Sequence, residues 1–325
     1  MSRLVRVELR RLVARRAVVL GVLAALAGVA VALVGAWNYA RPLTAAEQEL
    51  AEQQWQLQVE DWEENGERYI ADCREQEEAE SEATGEDVDF GCDSITAPER
   101  EWFFPQPATF EEFTANALGS SGLLVVALAL FVGATFTAAE FATGSMGNWL
   151  TFEPRRGRVY ASKLIAVSLA AVVVSALLVA LQVGGTAFAY AQNGLDVAFT
   201  ADLAWTAVRL AALGALSAVV GASLGVLLRH TAAVLGVVAA YAIVDGMTSG
   251  TVAWLQPWKV LLNLQSWILD GASYWVQECT VSETGTMCEG IERTVSLGHS
   301  AAYLLGATAL IALVGVLVFR RRDVS

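Results

Sequence analysis

Four groups of residues in this 325-residue chain have the types and spacing to do chemistry. Gly221-Ala222-Ser223-Leu224-Gly225 matches the Gly-x-Ser-x-Gly pattern, which presents a serine nucleophile when it sits on a strand–turn–helix elbow. Such a serine needs a base, and the two histidines are His230 and His299. Arg209 and Asp245 are isolated charges in apolar runs, where ionisable residues are paired or functional. Cys73, Cys92, Cys279 and Cys288 can form disulfides. Between residues 139 and 163, Glu140, Arg155, Arg156, Arg158 and Lys163 surround an apolar patch of Met146, Trp149, Leu150 and Phe152. Fixed charge around apolar surface is what a docking site needs. A helix lying on a lipid leaflet, with its arginines on phosphates, would show the same pattern.

Other chemistry is missing. No Gly-x4-Gly-Lys-Ser/Thr loop occurs, and neither Lys163 nor Lys259 follows a Gly-rich run. The chain therefore does not cradle ATP in that way, and ATP-driven work would need a second protein. No Asp-x-Asp-x-Asp-Gly loop suggests calcium, no metal site is expected, and nothing points to a nucleic acid.

The elements that position these residues come from hydropathy. Hydrophobic residues make up 55 % of the chain, and its mean hydropathy is +0.47. They cluster in runs near the 20 residues that a bilayer core requires, without the period-two alternation of barrel strands. Spans are expected at 17–37, 117–138, 162–190, 203–228, 231–249 and 299–319. The fold class is thus an all-α integral membrane protein with six transmembrane helices. The net charge of −13 conceals a segregation. Arg3, Arg6, Arg10, Arg11, Arg15 and Arg16 precede the first span, against one Glu8. The arginines of 155–158 follow the second span, Arg229 follows the fourth, and Arg320, Arg321 and Arg322 follow the sixth. The intervening loops are acidic. Arg and Lys collect on the cytoplasmic side, so both ends are expected inside a plasma or inner cell membrane. No small-x-small cleavage site follows the first span, which reads as an uncleaved anchor.

This layout ranks the candidate chemistries. Ser223 falls near the inner end of its span and His299 at the outer end of the last, so an intramembrane protease is disfavoured. Gly214, Gly221 and Gly225, with Ser217, Ala218 and Ala222, read better as small-residue ridges for close helix packing. Arg209 lies roughly 10 Å below the outer end of its span, and Asp245 at similar depth in the next. They are expected to pair. All four cysteines fall in outer loops, and Cys73–Cys92 and Cys279–Cys288 are the expected bridges because partners share a loop.

The chain then divides as follows: an amphipathic cytoplasmic helix over 1–16, span one at 17–37, and an acidic helical extracytoplasmic segment over 38–115. Spans two to five occupy 116–249, with the cytoplasmic loop 139–163 among them. A Trp-rich re-entrant or interfacial segment covers 250–298, span six 299–319 and a cytoplasmic tail 320–325. In the acidic segment, Asp and Glu far outnumber Arg41, Arg68, Arg74 and Arg100. Trp55, Val59, Trp62, Gly66, Tyr69 and Cys73 recur at helical spacing, and span one is expected to run on into this helix. Residues 74–90 read as an acidic mobile stretch. The acidity can attract a cation or simply solvate the surface, and the second reading is preferred. Trp254, Trp258, Trp267, Tyr274 and Trp275 mark a headgroup-level segment before the last span.

The order Glu140, Gly144, Leu150, Pro154-x-Arg156 and Lys163 after the second span resembles the ATP-binding-cassette (ABC) exporter permeases of the ABC-2 type. So do the basic amphipathic start, the Trp-rich segment before the last span and the Arg320-Arg321-Arg322-Asp323 end. The enlarged acidic segment with its own cysteines departs from the simplest members. The resemblance implies a homodimer of permeases with two copies of a separate ATPase subunit, which hold the ATP and Mg; this chain carries no cofactor. Residues around 140–156 would form the coupling helix, with Glu140, Gly144, Trp149, Leu150, Pro154 and Arg156 as its residues, and 250–290 a re-entrant gate. Besides the ATPase and the second permease, membrane lipid is the expected partner. The rival readings are an ion-coupled secondary transporter and a non-transporting membrane sensor or assembly protein that uses the acidic segment. A secondary transporter would show matching halves with broken helices, and no convincing repeat is present.

Overall fold

The computed structural model describes residues 2–85, 87–104, 107–248, 253–282 and 285–321, with side chains undescribed at 2 and 278–288. The chain divides into two compact units. One comprises Met1–Asn38, Thr109–Glu278 and Cys288–Ser325, and the other Tyr39–Ala108 with Cys279–Met287.

The first unit begins with α1 (Ser2–Val13) and α2 (Arg16–Ala40). After the second unit come α4 (Phe110–Ala142), the short α5 (Ser145–Phe152), α6 (Arg156–Gln192), α7 (Ala201–Leu228) and α8 (Thr231–Met247). A 3-10 turn (Ala253–Trp258) leads to α9 (Val260–Leu269), and α10 (Leu297–Arg321) follows a two-stranded sheet. Its strands are β1 (Gly271–Ser282) and β2 (Gly285–Ser296). Among the described residues five helices are long and apolar enough to cross a membrane: α2, α4, α6, α7 and α10. They exceed the expected spans at nearly every end, because Phe110–Asn116 and Arg156–Ala161 continue the helical backbone beyond the apolar run. The 17-residue α8 is apolar but shorter.

The core of this unit is the α4–α7 contact. A Cβ at Gly133 would meet the backbone of Ala218 and Ala222, and one at Gly221 would meet the backbone of Leu130. Gly225 lies against Thr137 and Ala134, and Gly214 against Ser175 of α6. Without side chains at these positions the two backbones approach until Thr137 Oγ1 donates to the Ala222 carbonyl at 2.8 Å. α9 packs against α4, α7 and α10 and buries Asn263, Leu264, Ser266 and Ile268. The strand pair departs from a purely helical reading. β2 mixes Glu, Gly, Arg and Thr without clean alternation, so no period marks it in sequence.

In the second unit the long helix is α3 (Ala45–Thr84). Two expectations are corrected here. Span one does not continue into it: the helix stops at Ala40 and restarts at Ala45. Pro42 disfavours helical backbone at Arg41, and Thr44 opens a new helix with a capping box, accepting from Glu47 N while Glu47 accepts from Thr44 N. Residues 74–84, read from sequence as an acidic stretch without regular structure, are helical, because Glu, Gln, Arg and Ala are strong helix formers. Gly85, left-handed at φ 72°, ends the helix. The segment after it returns along α3, fixed by a Cys73–Cys92 disulfide with Cα atoms 5.7 Å apart.

Candidate functional site

The loop between α4 and α6 and the N-terminal helix meet in a buried ionic cluster. Glu8 and Leu12, four apart on α1, point inward, and both are buried. Glu140 comes from the last turn of α4 and Lys163 from the second turn of α6. Lys163 Nζ lies 2.7 Å from Glu140 Oε2 and 3.0 Å from Glu8 Oε2. Arg15 and Arg11 reach Glu140 Oε1 at 3.0 Å and 3.3 Å, and Arg15 also donates to the Thr135 carbonyl. Beneath them the fully buried Phe136 ring faces Arg15 Cζ at 5.0 Å and Lys163 Nζ at 4.8 Å. Burial pushes the Arg15 guanidinium down from its ordinary value while Glu140 pulls it up. Arginine stays charged through such a shift. Three cations thus enclose two carboxylates where little water reaches. Such a cluster adds little net stability over apolar packing, but each member depends on its partners.

α5 stands over this cluster. Gly144, left-handed at φ 67°, lets the chain turn from α4 into α5 without a side chain to strain. The Trp149 ring faces Arg11, whose Cζ is 5.3 Å from its centroid, so α1 and α5 are joined directly. Leu150 packs with Met146, Tyr160, Val226 and Phe319. Pro154 lies in the exposed turn before α6, and Arg156 Nη1 donates to the Phe319 carbonyl near the end of α10 at 3.2 Å. Phe152 is left 83 % exposed at the end of α5. Beside α5 a recess of about 230 Å³ is lined by Phe141, Gly144, Met146, Arg229 and His230. The surface around α5 therefore presents a bare aromatic ring at the helix's end and a recess lined by Arg229 and His230 at its start.

The sequence-derived residues fall into four sets. Glu140, Trp149, Leu150 and Arg156 are joined to the cluster or the packing beneath α5, while Gly144 and Pro154 shape the turns at either side. Glu140, expected at a docking surface, is instead 1 % exposed and holds the base of the loop. Arg209 and Asp245 are not brought together. Arg209 Nη1 pairs with Asp270 at 3.2 Å, because α9 packs against α7 and ends in a left-handed Asp270. The Arg209 carbonyl also accepts from Trp267 Nε1. Asp245 accepts from Tyr241 and, through its backbone carbonyl, from Lys259 Nζ. Ser223 is fully buried in α7, 2.9 Å from Tyr160 Oη, while His299 Nε2 contacts the Pro257 carbonyl. No strand–turn–helix elbow surrounds Ser223, and neither histidine is its partner. Cys279 and Cys288 lie outside the described side chains, as Arg322 and Asp323 lie outside the described residues.

Glu8, Arg11, Arg15 and Phe136 were missed as site residues. Glu8 alone carried a signal, as one acid among six arginines with an apolar residue four positions on.

No curated protein and no solved structure matches the chain. The model of the ABC-2 family transporter proteins matches residues 3–324, from α1, which supplies Glu8, past the end of α10 that receives Arg156. The chain belongs to that family, as a membrane permease of an ABC transporter.

Proposed function

We propose that this permease works as an exporter with a separate ATPase subunit, which supplies ATP and Mg and docks on α5. The carrying observation is the family match over residues 3–324. The exposed Phe152 and the recess at Arg229 and His230 support docking, since an aromatic anchor beside fixed charge is how interface hot spots are built. In this reading α8 is the fifth of six spans, and the arginine-rich ends, α5 and the α7–α8 turn face the cytoplasm. Two permease copies pair. In support, α8 is mostly apolar yet buries only Val234 and Asp245 of its 17 residues, leaving surface for a second copy.

ATP closure of the ATPases would push on α5, and the Trp149–Arg11 contact and the ionic cluster would pass that displacement to α1, α4 and α6 together. The test is purification of the full chain from native membranes in mild detergent, with mass spectrometry of what accompanies it. A phosphate-loop ATPase should co-purify, and Phe152→Ala should lower its recovery about tenfold while leaving the permease's melting midpoint unchanged. An ATPase-free preparation that transports on an ion gradient alone would replace this reading with a secondary transporter.

A further inference from the structure

The unit that contains α3 holds a groove of about 450 Å³ that the transport reading does not use. One wall is α3, with Asp61, Trp62 and Tyr69; the other is the returning segment, with Thr96, Pro98 and Trp102. Both ends are fixed. At one end stand the Cys73–Cys92 disulfide and an Arg74–Asp93 pair at 2.6 Å. At the other, Trp55 Nε1 donates to the Pro98 carbonyl at 3.2 Å and Arg100 pairs with Glu52 at 2.9 Å.

The interior has a defined chemistry. Asp61 is oriented by two donors, Asn65 Nδ2 at 2.8 Å on one oxygen and Tyr69 Oη at 2.9 Å on the other. That bond to Asp61 pushes the Tyr69 phenol up, so it remains a neutral donor. The Trp62 ring covers Gly66, where a Cβ would strike it. Trp102 is 61 % exposed on the opposite wall. Ring faces attract cations, best when these are weakly hydrated, and a carboxylate adds a directed charge. Arg68 already uses this attraction, with Cζ 5.8 Å from the Tyr69 ring. Glu60, Glu63, Glu64 and Glu67 on the same helix repel anions and draw cations in. One carboxylate with its oxygens already bonded is a poor metal ligand set, whereas the aromatic walls suit an apolar body.

We propose that this groove binds an organic cation, an amine or quaternary ammonium carried on an apolar body. The proposal does not rest on the transport reading, and its failure leaves that reading untouched. The probe is benzyltrimethylammonium, with phenylmethanesulfonate as its anionic counterpart, titrated calorimetrically into the full chain in a neutral detergent. The cation should bind saturably and the sulfonate should not, with affinity falling as salt is raised. Trp102→Ala and Asp61→Asn should each weaken the cation about tenfold. Trp254→Ala, which removes an exposed ring of the other unit, should change nothing. Trp102 is 61 % exposed, and an unchanged limited-proteolysis pattern over residues 87–104 checks that the unit keeps its fold in the variant. Equal binding by parent and both variants, or no saturable binding in the millimolar range, overturns the proposal. Loss of dimers rather than of ligand in Trp102→Ala would assign the groove to a second copy and also overturn it.

Discussion

Lys163 Nζ lies 2.7 Å from Glu140 Oε2, and both side chains are 1 % exposed. The cluster around them holds three cations and two carboxylates, and this imbalance ranks its variants. Lys163→Met leaves Arg11 and Arg15 to balance Glu8 and Glu140. Glu140→Gln leaves three cations facing Glu8 alone. Removing one member of a buried pair costs about 3–5 kcal/mol, so Glu140→Gln should reach the upper end and Lys163→Met the lower. Thermal unfolding of the two proteins in detergent gives the order, and a lower midpoint for Lys163→Met would refute the charge count.

The α4–α7 contact predicts opposite outcomes for neighbouring positions. Gly221→Val places carbon atoms on the Leu130 backbone, which no rotamer avoids, and should abolish a monodisperse preparation. Ser223→Ala removes one hydrogen bond from Tyr160, which still donates to the Ala312 carbonyl at 3.0 Å. Its cost should be about 1 kcal/mol, with function kept. Size-exclusion profiles and melting midpoints separate the two.

The start of α3 carries a pH signature. The Arg41 guanidinium, with the Thr44 backbone and hydroxyl, holds the Glu47 carboxyl well below the usual carboxylate range. A depressed folded-state pKa contributes stability above the unfolded value, lost as pH falls through the folded one. The first turn of α3 should therefore stay protected at about pH 4, where ordinary glutamates are titrating, and open only in stronger acid. Hydrogen exchange at the Glu47 and Gln48 amides measures this. In Glu47→Gln the acid-dependent opening should vanish.

Reduction should loosen one segment rather than the whole chain. The Cys73–Cys92 bridge closes a loop of sequence separation 19, worth about 3 kcal/mol in the chain-entropy model. Cys92→Ser should expose residues 87–104 to limited proteolysis while the membrane helices keep their melting midpoint. A cleavage pattern identical to the parent's would show that the Trp55–Pro98 and Arg100–Glu52 contacts suffice.

The long apolar runs made α2, α4, α6, α7 and α10 legible, because burial in lipid leaves its mark on every residue of a span. The family was legible from the spacing of Glu140, Gly144, Pro154 and Arg156. What was not legible is pairing. Arg209 and Asp245 share a depth by residue counting, but depth says nothing of azimuth, and α9 supplied Asp270 from a segment without a spanning period. Glu140 looked like surface because it adjoins a polar loop. Its burial depends on Glu8, Arg11 and Arg15, more than a hundred residues earlier in the chain, and no local pattern encodes that contact. The Arg41–Leu43 break was hidden for the opposite reason: a single proline and a threonine interrupt a pattern that is helical on both sides.

The Glu8–Lys163 contact spans 155 residues, which fixes an order of events during synthesis. At typical elongation rates of about 5–20 residues per second, roughly 8–30 s pass between the two residues leaving the peptidyl-transferase centre. For that interval α1 has made Glu8 and four of its arginines but not their lysine partner. The helix made first cannot complete its contacts until α4 and the start of α6 have been made. Any defect in α4 or α6 would leave α1 undocked, a handle by which quality control could recognise an unfinished permease.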